Sequence, residues 1–137
     1  MASRLNPYIQ FDGSAREAME FYRDVLGGEL AINTFGEYGG DASFADQVMH
    51  AMLETGQGFT LMASDTPPGM EFHSGGNITI SLSGDDGDLL RGYFEKLSEG
   101  GQVTMPLEKQ MWGDEFGSLT DRFGVSWLVN IASEGDA

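Results

Sequence analysis

Only two histidines occur in this 137-residue chain, and one of them is placed to move protons. His50 sits in the segment 48–54, whose ordinary imidazole would titrate near neutrality, and Glu54 shares its strand face two pleats further on, where a carboxylate can polarise it. The same histidine also reads as one satisfied by hydrogen bonds inside a sheet. Glu115, next to Phe116 and three residues after Trp112 in a stretch without clear periodicity, is the second acid–base candidate. His73, between Phe72 and Ser74, reads as a loop residue.

A second set of residues suits binding better than catalysis. If the apolar faces of the strand-like segments pack on helices, strand parity sends Tyr8 and Gln10, His50 and Met52, Thr60, Met62 and Ser64, and Asn77, Thr79 and Ser81 to the opposite face. Hydroxyls, amides and thioethers of this kind hold a neutral or weakly polar organic molecule by a few hydrogen bonds among soft contacts. Asn130 reaches the same face, opposite a core-facing Trp127, Val129 and Ile131. Trp112 either caps that face with Phe116 or anchors its loop to the core. Asp121, in Asp-Arg-Phe-Gly, reads as a turn residue accepting backbone amides.

The elements that must position these side chains come from an internal repeat. Tyr8-Ile-Gln-Phe-Asp-Gly-Ser, a helical stretch from Ala15 to Leu26 and Gly27-Gly28 are echoed by Thr79-Ile-Ser-Leu-Ser-Gly-Asp, a helical stretch from Asp86 to Leu97 and Gly100-Gly101. Repetition sets architecture before any local argument. Each half reads as strand, helix and three further strands, which predicts two βαβββ modules, an α+β fold with a curved, mostly antiparallel sheet trough and helices on its outer face. Ser14-Ala15-Arg16-Glu17 fits a capping box, in which the serine hydroxyl and the glutamate satisfy each other's backbone amides. The stripe Ala18, Phe21, Tyr22, Val25 and Leu26 should then lie on the sheet. Asp85 or Asp86 caps the second helix, whose stripe is Leu89, Leu90, Tyr93, Phe94 and Leu97, with helices at roughly 14–27 and 85–99. The stretch 36–47 is glycine-rich and acidic and reads as a long loop. Module one covers about 1–65, a linker 66–76, and module two about 77–137, together a single domain.

Bulk composition narrows the function. Seven basic residues against 22 acidic ones give a net charge of −15, which repels nucleic acid and anionic membranes. The acids are scattered, as on a solvated surface, although they would also attract a cation. With no cysteine, thiol chemistry, disulfides and cysteine metal sites are excluded. Neither a leader nor a run of roughly 20 apolar residues is visible, so the expected location is cytoplasmic.

These residues resemble the vicinal oxygen chelate superfamily of glyoxalase, bleomycin-resistance and extradiol dioxygenase proteins, in its PhnB-like branch. The resemblance rests on Asn6-Pro7-Tyr8-Ile9, Ala18-Met-Glu-Phe-Tyr-Arg-Asp-Val-Leu-Gly-Gly, His50-Ala51, Leu61-Met-Ala-Ser-Asp65 and Met111-Trp-Gly-Asp-Glu-Phe-Gly-Ser-Leu-Thr-Asp-Arg-Phe-Gly-Val-Ser-Trp127. It implies a glyoxalase/bleomycin-resistance fold and, for catalytic members, one divalent metal held by His, Gln or Glu. At the matching places this chain has Pro7 or Tyr8, Leu61 or Met62, Asn77, and Leu128, none a strong ligand for such a metal. PhnB-like proteins are also named as demethylubiquinone methyltransferases, but no glycine-rich loop between strand and helix supports nucleotide-type cofactor binding here.

The expectation is therefore a PhnB-like protein, a homodimer as its superfamily commonly is, that binds a small organic molecule in the trough without metal or other cofactor. Two alternatives stand beside it: a metal-dependent or His-based lyase, isomerase or dioxygenase using His50 and Glu115, and a non-catalytic dimerisation module.

Overall fold

A computed structural model describes residues 5–39, 42–66 and 77–133. The chain divides into two compact units, Met1–His73 and Ser74–Ala137. The expected linker 66–76, apart from Thr66, lies outside the described residues, as does His73.

The first unit runs β1 (Tyr8–Phe11), α1 (Ala15–Leu26), β2 (Glu29–Thr34), β3 (Val48–Glu54) and β4 (Thr60–Asp65). The second runs β5 (Ile80–Gly84), α2 (Gly87–Ser98), β6 (Gln102–Lys109), β7 (Glu115–Thr120) and β8 (Ser126–Ile131). Each unit is thus a βαβββ module, and the two four-stranded mixed sheets have orders β1-β4-β3-β2 and β5-β8-β7-β6. The first strand of each module pairs parallel to its last, and the other pairings are antiparallel. Among the described residues no helix is long and apolar enough to cross a membrane.

Sheet one covers α1 with Ala51, Leu53, Leu61 and Ala63, against Ala15, Ala18, Met19, Tyr22, Val25 and Leu26 of the helix, all buried. Met19 is buried where the sequence stripe has Phe21, which is only half-buried. Sheet two does the same with Leu82, Leu119, Trp127, Val129 and Ile131 against Leu90, Tyr93, Phe94 and Leu97.

Both turns after the helices depend on a glycine that packs backbone on backbone. A Cβ at Gly28 would stand 2.2 Å from the carbonyl oxygen of Glu54, and one at Gly101 would stand 2.3 Å from that of Thr120. The repeat therefore reuses one contact: the residue entering the second strand of each module presses on the turn of its closing hairpin.

Three local expectations change. Ser14 makes no side-chain cap; instead the Ala15 amide donates to Asp65 Oδ1 at 2.9 Å, and Asp65 Oδ2 accepts from the Val48 amide at 2.9 Å. A buried carboxylate from the far end of the module thus does the work of the capping box, because its charge answers two orphan amides at once. A reciprocal box does form at Thr34 and Glu37, on the short 3-10 helix Phe35–Tyr38. That helix and a second one, Ala42–Phe44, break up the stretch expected as a plain loop. β5 starts at Ile80 rather than at Asn77, and its parallel pairing with β8 begins at Ile80 and Trp127. Asp86, in contrast, caps α2 as expected, accepting from the Leu89 amide at 3.2 Å.

Candidate functional site

The face of sheet one turned away from α1 follows from parity once the register is known. Tyr8 stands opposite Met62, Met62 opposite Met52, and Met52 opposite Ala31, one row running across all four strands. In the neighbouring row Gln10 pairs with Ser64, and His50 with Asn33. The His50 ring leans toward Tyr8 with centroids 5.9 Å apart and planes inclined by 34°. Tyr8 is 48% exposed, whereas His50, Met52 and Met62 are half-buried. The structure therefore brings Tyr8, Gln10, His50, Met52 and Met62 together. Glu54 is not part of that cluster: it is exposed, opposite Thr60 and Glu29, and no hydrogen bond or ion pair joins it to His50 among the described residues.

On sheet two the face away from α2 carries two rows. Ser83 stands opposite Asn130 and Asn130 opposite Phe116; Ser81 stands opposite Leu128 and Leu128 opposite Ser118. Ser118 and Thr104 hydroxyls lie 2.7 Å apart. Asn130 donates through Nδ2 to Asp114 Oδ2 at 3.1 Å, and Asp114 Oδ1 accepts from the Ser133 amide at 3.1 Å. Trp112 packs edge-on against Phe116, with centroids 6.3 Å apart, and remains 58% exposed. It rims the face instead of anchoring its loop in the core. The expected Asn77 and Thr79 precede β5, both exposed.

Glu115 goes elsewhere. It opens β7 with the parity of Gly117 and Leu119, which turns it toward α2, where Arg91 Nε donates to Oε1 at 3.3 Å and Nη2 is paired with Oε2. Hydrogen bonding to Arg91 holds the Glu115 carboxyl below its ordinary value, and the same bond with its charge raises the guanidinium. Glu115 lines a cleft of about 610 Å³ beside the start of α2, together with Asp86, Asp88, Arg91 and Lys109. Within its own module Glu115 thus lies on the helix-covered face of the sheet, bound to Arg91.

Sequence parity missed Asn33, Ser83 and Ser118, because nothing in the chain announces which residues stand opposite one another. It also missed Asp114 as the partner of Asn130; the only signal was an acidic residue in the loop that returns toward the end of β8.

A family model described as the glyoxalase/bleomycin resistance protein/dioxygenase superfamily matches residues 4–129. The chain belongs to that superfamily. It is similar to protein PA1353 of Pseudomonas aeruginosa, known from its crystal structure, at 40% identity with a TM-score of 0.88, over 97% of this chain and 100% of that one. Protein YjdN of Escherichia coli is 28% identical over 95% of this chain and 96% of its own. A structure from Bacillus cereus, described as a putative 3-demethylubiquinone-9 3-methyltransferase and PhnB protein, superposes with a TM-score of 0.74 at 24% identity, over 95% and 100% of the two chains, which bears on the fold alone.

Membership raises the question of a metal. Across β5 the residue facing Leu128 is Ser81, and Asn77 precedes the strand. In module one the facing pair is Tyr8 and Met62, a phenol and a thioether; in module two it is Ser81 and Leu128, an alcohol and a hydrocarbon. Divalent first-row metals favour imidazole, thiolate and carboxylate, so neither pair fits one. Among the described residues no group of three or more His, Asp and Glu is placed to hold a metal ion.

Proposed function

We propose that the protein binds a small organic molecule on the helix-free faces of its sheets and does so without a catalytic metal. The observation that carries this reading is the row Tyr8–Met62–Met52 with His50 beside it: the places that the resemblance matches to metal ligands in this module carry a phenol and a thioether. Thioethers and aromatic rings give adaptable contact, and Gln10, Asn33 and Asn130 supply a few directed hydrogen bonds. The charge of −15 disfavours polyanionic partners such as nucleic acid, and a homodimer acting in the cytoplasm completes the reading. Native mass spectrometry of freshly purified protein, with elemental analysis of the same sample, tests it. The expected result is a retained organic mass and no stoichiometric zinc, nickel, manganese or iron; a stoichiometric metal lost on His50→Gln would overturn it.

A second reading, metal-free acid–base turnover at His50, is supported by the imidazole lying against the Tyr8 ring on that face. His50→Gln keeps size and hydrogen bonding but removes the basic ring nitrogen. Turnover of the retained molecule that survives this change unaltered would dismiss the second reading.

A further inference from the structure

We infer that the helix-free face of sheet two takes a planar aromatic molecule that presents an N–H or O–H donor, and that Asp114 sets this preference by fixing the Asn130 amide. The inference rests on the preceding reading and names the ligand class for one of its two faces.

Ionised Asp114 can only accept, so the group that Asn130 turns toward it must be the amide nitrogen, and the observed contact is Nδ2 to Oδ2 at 3.1 Å. The Ser133 amide holds the other oxygen of Asp114 at 3.1 Å, which stops the carboxylate from turning away. Asn130 thus cannot flip without opposing its carbonyl to a carboxylate. Its Oδ1 has no partner among the described residues. It is a fixed acceptor, between Ser83 on one side and Phe116 on the other.

Next to that acceptor stands an aromatic wall. Phe116 and Trp112 meet edge to face, an arrangement in which one ring braces the other, and Trp112 as a residue is more than half exposed. A large exposed aromatic at the rim of a sheet, held by a second ring, suits a flat ligand more than an extended aliphatic one. A ring that stacks there brings a substituent on its edge within reach of Asn130. Since the acceptor is fixed, that substituent must donate.

The test uses two neutral rings of nearly equal shape, 2-quinolinone, which carries a lactam N–H, and N-methyl-2-quinolinone, which does not. Binding is followed by the amide and indole NMR signals of the 15N-labelled protein. The two tryptophans supply an internal control, because the Trp127 indole donates to Asp121 in the core and should stay still while the Trp112 signal moves. The expected result is a five- to tenfold preference for 2-quinolinone, the size of one hydrogen bond made or lost. Asn130→Ala should abolish the preference, Asp114→Asn should reduce it, and Trp112→Leu should weaken both rings alike. Equal affinity of the two rings, a preference that survives Asn130→Ala, or shifts confined to sheet one overturns the inference. None of these results touches the native mass measurement, on which the broader reading stands separately.

Discussion

The indole nitrogen of Trp127 donates to Oδ2 of Asp121 at 2.9 Å, and both side chains are buried, at 1% and 3% exposure. The other oxygen of Asp121 accepts the amides of Phe123 and Val125, at 2.8 and 3.0 Å. One carboxylate therefore ties the β7–β8 turn to the largest side chain of the second core. Replacing it with asparagine keeps the shape but offers one acceptor oxygen where two are used. Asp121→Asn should cost about 2–3 kcal/mol in urea denaturation, because a buried donor left unsatisfied loses its full desolvation energy. A change below about 0.5 kcal/mol would show that the network is not what holds the turn.

Asp65 does for module one what sequence assigned to Ser14. Asp65→Ala frees two buried amides and should destabilise by about 2–4 kcal/mol, whereas Ser14→Ala should stay within about 0.5 kcal/mol, less than the usual loss of a helix cap. Chemical denaturation of the two variants side by side decides the matter, and a reversed order would refute the capping role of Asp65.

The glycine inside α2 and the one after it differ in kind. Gly101→Ala would drive its Cβ against the Thr120 carbonyl and should destabilise by more than about 2 kcal/mol. At Gly92, inside α2, an added Cβ meets nothing within 4 Å, so Gly92→Ala should stabilise by roughly 0.5–1 kcal/mol through helix propensity. Thermal melts of both variants give the two signs.

The Arg91–Glu115 pair has a pH signature. Its carboxyl is held below the ordinary value in the folded state by the Arg91 hydrogen bond, so folding favours the ionised form. The stability this adds is fully present above the ordinary carboxylate range and is lost as pH falls through the lowered value. The stability difference between wild type and Glu115→Gln should therefore be constant at neutral pH and shrink in acid. It should also shrink in high salt, since the pair is exposed. A difference that grows on acidification would contradict the assignment.

The fold was legible because the repeat, the helical stripes and the two glycine pairs all state the same period, and β3 begins and ends where alternation places it. Parity likewise put Tyr8, His50, Met52 and Met62 on one face. What the chain could not display is register and long-range charge. Pairing of β5 with β8 begins only at Ile80, which leaves Asn77 and Thr79 outside the strand and puts Ser81 opposite Leu128. Glu115 reads as a free carboxylate until Arg91, from a helix 24 positions earlier, is seen to hold it. Asp114 likewise acts on Asn130 from 16 positions away.

The parallel pairing that closes each sheet also orders the events of folding. Tyr8 must find Met62, and Ile80 must find Trp127, whereas the β3–β4 and β7–β8 hairpins join near neighbours. Closing the long loop comes at greater entropic cost, so the hairpins form first and the leading strand docks last. Until it does, β4 and β8 present unpaired backbone along the edge that later becomes interior. A chain shortened past Phe11 would keep the β4 edge open permanently, and its failure would show as strand-to-strand aggregation before any loss of helix.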